Sequence, residues 1–412
     1  MPEDGAPEDP DDAFRARARA FLELHARRRR PGDDDFARFR FLGDPSPEAD
    51  AEHVRRGKAW QRTLFEGGWA GIAWPKEYGG LGGTPAQARI FAREQARFDV
   101  DVGVFAVGIG MVAPTLIAHG TEAQKQRYLP SLLRGDEVWC QLFSEPGAGS
   151  DLAGLRTRAV RDGDEWVVNG QKVWSSGAHH SELGILLART DPDAPKHQGI
   201  TYFVLDMRSP GIEVRPLRQI NGVAHFNEVF LTDVRVPHEN VVGEVNGGWA
   251  VAQTTLGAER TLIGSGGAVG FRDLARLARA QDRASDSVLR QRLADAYIRF
   301  EVLRYLGQRA QVARRNSAAV GAEASVLKLA VSRHVALNGD LALALEGATG
   351  MLLHDDAPYG GFWQQQFLNQ WGTRIGGGTE QVQRNVIGER VLGLPPEPRP
   401  DKTVPFRELA GN

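Results

Sequence analysis

Apolar residues recur with two different periods along this chain, and the changes of period divide it into three. From Asp12 to about Leu133 they follow helical spacing, broken by one loop, Gly67 to Gly83, that is too glycine-rich for a helix interior. From about Val138 to Val245 the pattern is that of short strands. Thr157 and Ala159 alternate with Arg156 and Arg158. Asp162-Gly163 and Asn169-Gly170 read as hairpin turns on either side of Trp166-Val167-Val168, and Lys172-Val173-Trp174 resumes the strand. Ile185 to Ala188, Ile200 to Leu205, Ile212 to Val214 and Val229 to Val236 are further strand-like runs. Short strands in this density, with no helical pattern between them, indicate an antiparallel barrel or sandwich. From about Gly248 the helical period returns. Leu289, Leu293, Ala296, Phe300 and Leu303 mark one face of a bundle helix, Ala322 to Glu346 a second helix, and Val382 to Val391 the last.

The expected fold is therefore mixed α and β. A disordered tail (1–12) precedes an N-terminal helical domain (13–135), a central antiparallel β-barrel domain (136–245), a C-terminal four-helix-bundle domain (246–396) and a tail (397–412). Within the first domain, Arg27 to Arg30 read as a solvated helix C-terminus stopped by Pro31.

Charge narrows the partners. Lys plus Arg number 50 and Asp plus Glu 52, a net charge of −2, without the basic excess of a nucleic-acid binder. The acidic start is unlike a signal peptide, and no run of 18 apolar residues suggests a membrane span. A single cysteine, Cys140, excludes an intramolecular disulfide and fits a reducing cytoplasm. Glycine stands out, at 48 of 412 residues, so tight turns or close backbone approaches are expected. No G-x-G-x-x-G fingerprint follows a strand, and no Walker A loop or nucleophile elbow occurs. Gly264-Ser265-Gly266-Gly267 reads as a close helix–helix contact. His179-His180 lacks ligand spacing and a cysteine partner, so no metal is expected.

The most specific string is Phe143-Ser144-Glu145-Pro146-Gly147-Ala148-Gly149-Ser150-Asp151, with Asn169-Gly170-Gln171-Lys172-Val173-Trp174-Ser175-Ser176-Gly177 downstream. Together these closely resemble the flavin domain of acyl-CoA dehydrogenases. The resemblance extends over nearly the whole chain, through Trp74-Pro75-Lys76-Glu77-Tyr78-Gly79-Gly80, Asp233-Val234-Arg235-Val236-Pro237 with Val242-Gly243-Glu244, and Gly376-Gly377-Gly378-Thr379-Glu380-Gln381. It implies FAD, held by Gln141, Phe143, Ser144, Gly149, Ser150, Trp174, Ser175, Ser176, Thr379 and Gln381. It implies a substrate that is an acyl-CoA or other acyl thioester, contacted by Ser150, Arg260, Gly377 and Gly378. The implied reaction is α,β-dehydrogenation: a carboxylate removes the Cα proton while a hydride leaves Cβ for flavin N5. The implied acceptor is an electron-transfer flavoprotein, and the implied assembly a homotetramer or homodimer, or a heteromer.

One departure moves the expected base. Many relatives keep a catalytic glutamate in the loop before Gly-Thr, where this chain has Gly377, whose backbone N–H can still polarise the thioester carbonyl. Some branches carry the base on an earlier helix, immediately before an arginine. The matching residue here is Glu259, before Arg260, with a purely structural role as the plain alternative and Glu380 a distant second. Relatives also place an Arg-x-x-Phe-Gly loop near Arg276 to Asp286. This chain lacks it, leaving Arg279 or Arg283 as substitutes, and Ala344 stands where glutamine is common. Two other functions stay open: a non-catalytic or partner-dependent subunit of a heteromeric dehydrogenase, and a carrier-protein thioester dehydrogenase or oxidase.

Overall fold

The computed structural model describes residues 10–30, 46–265, 270–315, 323–353, 356–398 and 400–409. They fall into two compact units, Met1–Thr255 with Asp401–Asn412, and Leu256–Pro400.

The first unit begins with helices. In α1 (Pro10–His25) Phe14, Ala18 and Leu22 recur every four residues and are fully buried, so one stripe faces α3 (Pro85–Gln95). Local signals set the ends. Ser46 caps α2 (Pro47–Glu66), accepting from the Ala49 N–H. Thr84 and Thr121 form capping boxes with Gln87 and Gln124 at the starts of α3 and α5 (Glu122–Arg134). A short helix, α4 (Ala113–His119), precedes α5. The Gly67–Gly83 loop folds back on itself: a Cβ on Gly80 would lie 2.3 Å from the Trp74 carbonyl oxygen, so only glycine fits there. The arginine run differs from expectation. The helix ends at His25, and β1 (Arg27–Arg28) pairs antiparallel with β2 (Phe98–Asp99), where Arg27 reaches Asp99 at 2.7 Å. A carboxylate across the ladder, rather than a helix terminus, receives the charge. Arg30 is the last described residue of this run, and Pro31 lies outside the described residues.

The middle of the chain forms a seven-stranded β half-barrel: β3 (Trp139–Leu142), β4 (Arg158–Asp162), β5 (Glu165–Lys172), β6 (Leu183–Arg189), β7 (Ile200–Asp206), β8 (Ile212–Leu217) and β9 (Phe226–Pro237), in the order β3-β6-β4-β5-β9-β8 with β7 on β6. The Asp162-Gly163 turn joins β4 to β5 as expected, with Gly163 at φ 62°. Two details depart from the purely antiparallel expectation. First, β6 runs parallel to both β3 and β4, and the intervening chain supplies the long crossovers that parallel pairs need. All seven residues of β6 are buried, and the apolar run Leu183 to Ala188 is the trace of that environment in the sequence. Second, Asn169-Gly170 is a bulge inside β5 and not a turn: the register against β9 shifts between Val168 and Gly170. The Asn169 amide donates to Asp233 Oδ1 and its carbonyl accepts from the Asp233 N–H, while a Cβ on Gly170 would lie 2.7 Å from Thr157 Cα.

The second unit is helical. It contains the end of α6 (Gly248–Ser265), then α7 (Phe271–Ala280), α8 (Ser287–Arg315), α9 (Glu323–Glu346), α10 (Phe362–Ile375) and α11 (Glu380–Arg390). Helix α9 packs against α7, α8, α10 and α11. The stripe predicted on α8 holds at Leu289, Leu293 and Ala296, which are buried. Of the Gly264-Ser265-Gly266-Gly267 run, the last two residues lie outside the described residues, as does Ala322.

The chain then returns to the first unit. The Phe406 and Arg407 N–H groups donate to the Ala194 and Pro192 carbonyls, and the Arg189 guanidinium lies 3.7 Å from the Phe406 ring centroid. Among the described residues no helix is long and apolar enough to cross a membrane. Cys140 is fully buried, and burial pushes its thiol up to about 12, which makes it unreactive.

Candidate active site

In the first unit the two specific strings lie side by side. Strand β3 carries the half-buried Gln141 and delivers Phe143, whose ring packs edge-on against Tyr202 at 5.7 Å. Glu145 and Ala148 exchange backbone hydrogen bonds of 3.0 and 3.1 Å, closing a tight turn around Pro146 and Gly147. Gly149 and Ser150 follow, both exposed. The second string is tied to the first, since the Val173 N–H donates to the Ser144 carbonyl at 2.9 Å.

Beneath the turn sits a buried ion pair. Lys172 Nζ has no solvent exposure and donates to Glu145 Oε1 at 2.9 Å and to the Phe143 carbonyl at 3.0 Å. The Glu145 carboxylate also accepts from the Arg156 and Thr157 N–H groups at 2.6 and 2.8 Å. Burial opposes the charge on Glu145, but the Lys172 ammonium and these donors outweigh it and hold the carboxyl below its ordinary value. Burial in turn pulls Lys172 down, with Glu145 opposing.

After Val173 the chain leaves the sheet. Trp174 adopts φ 62°, a left-handed backbone uncommon for a bulky residue, and its indole is 58% exposed against Phe226. Ser175 is buried: its N–H donates to the Asn227 carbonyl, and its own carbonyl accepts from the Asn227 amide. Ser176 is half-buried. These residues fit a flavin. A strained, exposed indole offers a flat apolar wall, and a Cβ on Gly147 or Gly149 would meet nothing within 4 Å, so the turn borders open space.

Just beyond, His179 and His180 both reach Asp50 of α2, at 3.0 and 2.7 Å, and their hydrogen bonds hold its carboxyl well below the usual carboxylate range. The three ligand-type atoms lie within 4.8 Å of one another, a grouping that the sequence reading did not foresee. His225 stands nearby. Its Nδ1 accepts from the Gln219 amide at 2.9 Å, and burial pushes the imidazole down to about 4. The unfolded chain takes up this proton near pH 6.5, the folded chain only near 4. Stability is therefore complete above about pH 6.5 and falls by about 3 kcal/mol as the pH drops through that window. Urea unfolding at pH 7.5 and 4.5 should show this loss, and His225→Gln should remove most of it. An equal loss in both proteins would contradict the assignment.

In the second unit, Glu259 and Arg260 are half-buried on α6. Burial lowers the Arg260 guanidinium and the Glu259 carboxylate partly restores it. Between α10 and α11, Gly377 and Gly378 take φ 64° and 91°, so the loop requires glycine at both positions. Thr379 caps α11, accepting from the Val382 N–H at 3.2 Å, and Gln381 lies exposed on its first turn. Glu380 is buried and bridged to Arg374 at 3.0 Å. Gln383 and Lys328 hold the loop from below. The Gln383 amide donates to the Gly377 and Gly378 carbonyls at 3.1 and 3.2 Å, and Lys328 Nζ to the Gly378 carbonyl at 2.7 Å. Of the two arginines considered near residues 276–286, Arg283 reaches the glycine turn, its guanidinium 3.1 Å from where a Gly347 Cβ would stand.

Sequence reasoning missed Glu145, Lys172, Lys328 and Gln383 as parts of these arrangements. A trace was present for Lys328: Ser325, Lys328 and Ser332 share the phase of the buried residues of α9, an unusual place for a cation.

A helical domain, a β half-barrel and a second helical domain in this order, with these two loop arrangements, define the class of three-domain flavoprotein dehydrogenases. Models of the acyl-CoA dehydrogenase N-terminal, middle and C-terminal domains match residues 40–136, 140–234 and 246–392. The acyl-CoA dehydrogenase IpdE1 of Mycobacterium tuberculosis is 39% identical over 394 residues, covering 94% of this chain and 98% of that protein. Acyl-CoA dehydrogenase FadE34 of the same organism is 43% identical over 335 residues, 81% of this chain, which spans 46% of that longer protein. The solved Tcur3481-Tcur3483 steroid ACAD superposes with a TM-score of 0.78 at 31% identity, covering 95% of this chain and 100% of that one. The chain belongs to the acyl-CoA dehydrogenase family, a flavin-dependent family of oxidoreductases.

Proposed function

We propose that this chain catalyses FAD-dependent α,β-dehydrogenation of an acyl-CoA thioester, with Glu259 as the base. The observation that carries the assignment lies within the second unit. Burial lowers the Lys328 ammonium, Glu380 and then Glu259 oppose that shift, and Lys328 also holds the Gly378 carbonyl. Glu380 is already bridged to Arg374, whereas Glu259 is half-buried on α6 immediately before Arg260, the position to which the family resemblance gives the base.

Each residue then has a task. The Gly377 N–H polarises the thioester carbonyl, which acidifies Cα, and Glu259 takes the Cα proton. Gly378 and Arg260 line the acyl thioester, and Ser150 contacts its phosphopantetheine arm. Gln141, Phe143, Ser144, Gly149, Ser150, Trp174, Ser175, Ser176, Thr379 and Gln381 bind the cofactor. Bound FAD supplies the acceptor for the hydride that leaves Cβ. An electron-transfer flavoprotein takes the electrons onward.

The acyl group we propose is large and polycyclic, as the name of the steroid ACAD relative suggests, and glycines at 376 to 378 put no side chain beside it. That relative carries two subunit names, so assembly with a second, different chain is the form we propose to look for alongside homo-oligomers. Anaerobic bleaching of the flavin absorbance against a panel of acyl-CoAs tests the reading. Steroid-type acyl-CoAs should bleach it faster than butyryl- or palmitoyl-CoA. No bleaching by any thioester, from the chain alone or with its partner subunit, would overturn it.

A further inference from the structure

The proposed reaction makes no use of His179, His180 and Asp50. Asp50 stands in the first turn of α2, and the two histidines follow Gly177, where the chain has left β5. His179 Nε2 lies 3.0 Å and His180 Nε2 2.7 Å from the same oxygen, Asp50 Oδ2, and the two ring centroids are 4.0 Å apart. The side chains of Asp50, His179 and His180 are 16%, 22% and 23% exposed, so the cluster is sheltered but reachable by solvent.

The position of the protons decides what this arrangement can do. Asn227 is fully buried, and its amide N–H groups donate to the Ser175 and His225 carbonyls at 2.9 and 3.1 Å. Both partners only accept, so the amide oxygen is the atom that faces His179 Nδ1, at 3.1 Å. His179 therefore donates from Nδ1. In the neutral ring that leaves Nε2 with its lone pair aimed at a carboxylate oxygen 3.0 Å away, which is repulsive unless a positive charge lies between them.

A proton is one such charge and makes an imidazolium–carboxylate pair. A metal ion is the other, and three features favour it. A bond from Nδ1–H to a carbonyl is the tie that fixes the tautomer and ring orientation of a metal-bound histidine. A second Nε2, from His180, converges on the same carboxylate, and moving its proton to Nδ1 frees it as a ligand. All three donor atoms lie within 4.8 Å of one another. The two imidazole–carboxylate separations need to open by only a few tenths of an ångström to reach the ~3.3 Å edge of a tetrahedron with ~2.0 Å bonds.

We propose that Asp50, His179 and His180 bind a divalent transition-metal ion of the zinc class, with solvent in the fourth position, and that the ion clips α2 to the segment after β5. Two imidazoles and a carboxylate suit such an ion better than Mg2+ or Ca2+, which take oxygen ligands. The histidine pair lacks ligand spacing along the chain because its third donor stands 129 residues before His179, on another element.

Calorimetric titration of the full chain with ZnCl2, after dialysis against EDTA, tests the site. The wild type should take up one Zn2+ per chain at micromolar concentration or below and should melt at a higher temperature with the metal bound. Asp50→Asn, His179→Gln and His180→Gln should each weaken uptake by about tenfold or more. His53→Gln, which removes a histidine set against a single carboxylate, Asp101 at 3.0 Å, should leave uptake unchanged. Co2+ in place of Zn2+ reads the geometry of the wild type without any substitution. A four-coordinate site gives intense visible d–d bands, here without a thiolate charge-transfer band, since Cys140 is not among the donors. A weak, solvent-like Co2+ spectrum, no saturable uptake at micromolar zinc, or uptake that survives the three substitutions would overturn the proposal and leave His179 as an imidazolium paired with Asp50.

Discussion

Replacing Glu259 by glutamine is expected to slow flavin reduction by roughly 10²–10⁴-fold, the share that a positioned general base supplies. The exchange keeps the size and the hydrogen-bonding edge of the side chain while removing its ability to hold a proton. The rate of the chemical step should therefore fall with little change in acyl-CoA affinity. The visible spectrum of the bound flavin and the thermal midpoint should stay as in the wild type, which separates lost chemistry from lost folding. Glu380→Gln provides the contrast. Glu380 is buried, sits at the first turn of α11 and is bridged to Arg374, so its loss should weaken the helix start and affect the rate only modestly. A Glu259→Gln enzyme that reduces its flavin at near wild-type rate, beside a Glu380→Gln enzyme that does not, would reverse the two roles.

The second large effect is on stability. Lys172→Met should destabilise the protein by about 3–5 kcal/mol, because it leaves a carboxylate buried without its cation. The remaining hydrogen-bond partners of Glu145 are the Arg156 and Thr157 N–H groups, which carry no net charge, and Arg189 is the further cation that its charge favours. The same lysine donates to the Phe143 carbonyl, so the variant should also loosen the turn that follows Phe143 and weaken flavin retention. Changing both partners together, Lys172→Met with Glu145→Leu, removes the stranded charge and should recover much of the loss while leaving flavin retention impaired. Urea unfolding of the three proteins measures the first effect, and flavin release on dilution the second. A loss under 1 kcal/mol in the single variant would show that the pair contributes little.

Much of this molecule was legible in its sequence, for reasons that can be named. The change of apolar period near Val138 and Gly248 separated helical from strand segments because each period belongs to one kind of backbone. The α8 stripe was readable because a bundle helix buries only one face. Phe143 to Ser150 and Trp174 to Ser176 were found as strings, and the structure lays them side by side through the Val173–Ser144 hydrogen bond. What escaped was long-range or contradicted a local rule. Asn169-Gly170 carries the chemistry of a hairpin turn, yet its partners are Thr157 and Asp233, distant in sequence, and they make it a bulge. The parallel pairing of β3 with β6 depends on a crossover that no local window contains. Arg27 found Asp99 across a two-residue ladder, so charge that looks like a helix end became part of a strand. Lys172 and Lys328 were the hardest, since a lysine normally reports solvent and these two report buried partners.

The return of the chain to its first unit has a topological consequence. Residues Leu256–Pro400 leave that unit after Thr255 and re-enter it at Asp401, where Lys196 pairs with Asp401 and Arg189 lies over Phe406. The helical unit is thus an insertion, pinned at both ends. When it unfolds locally it becomes a closed loop and not a free tail, which limits the conformations it can gain, a restriction that grows only slowly with loop length. A single nick in the exposed stretch Pro395 to Glu397 would cut that loop beyond Leu394, whose N–H donates to the Gly388 carbonyl.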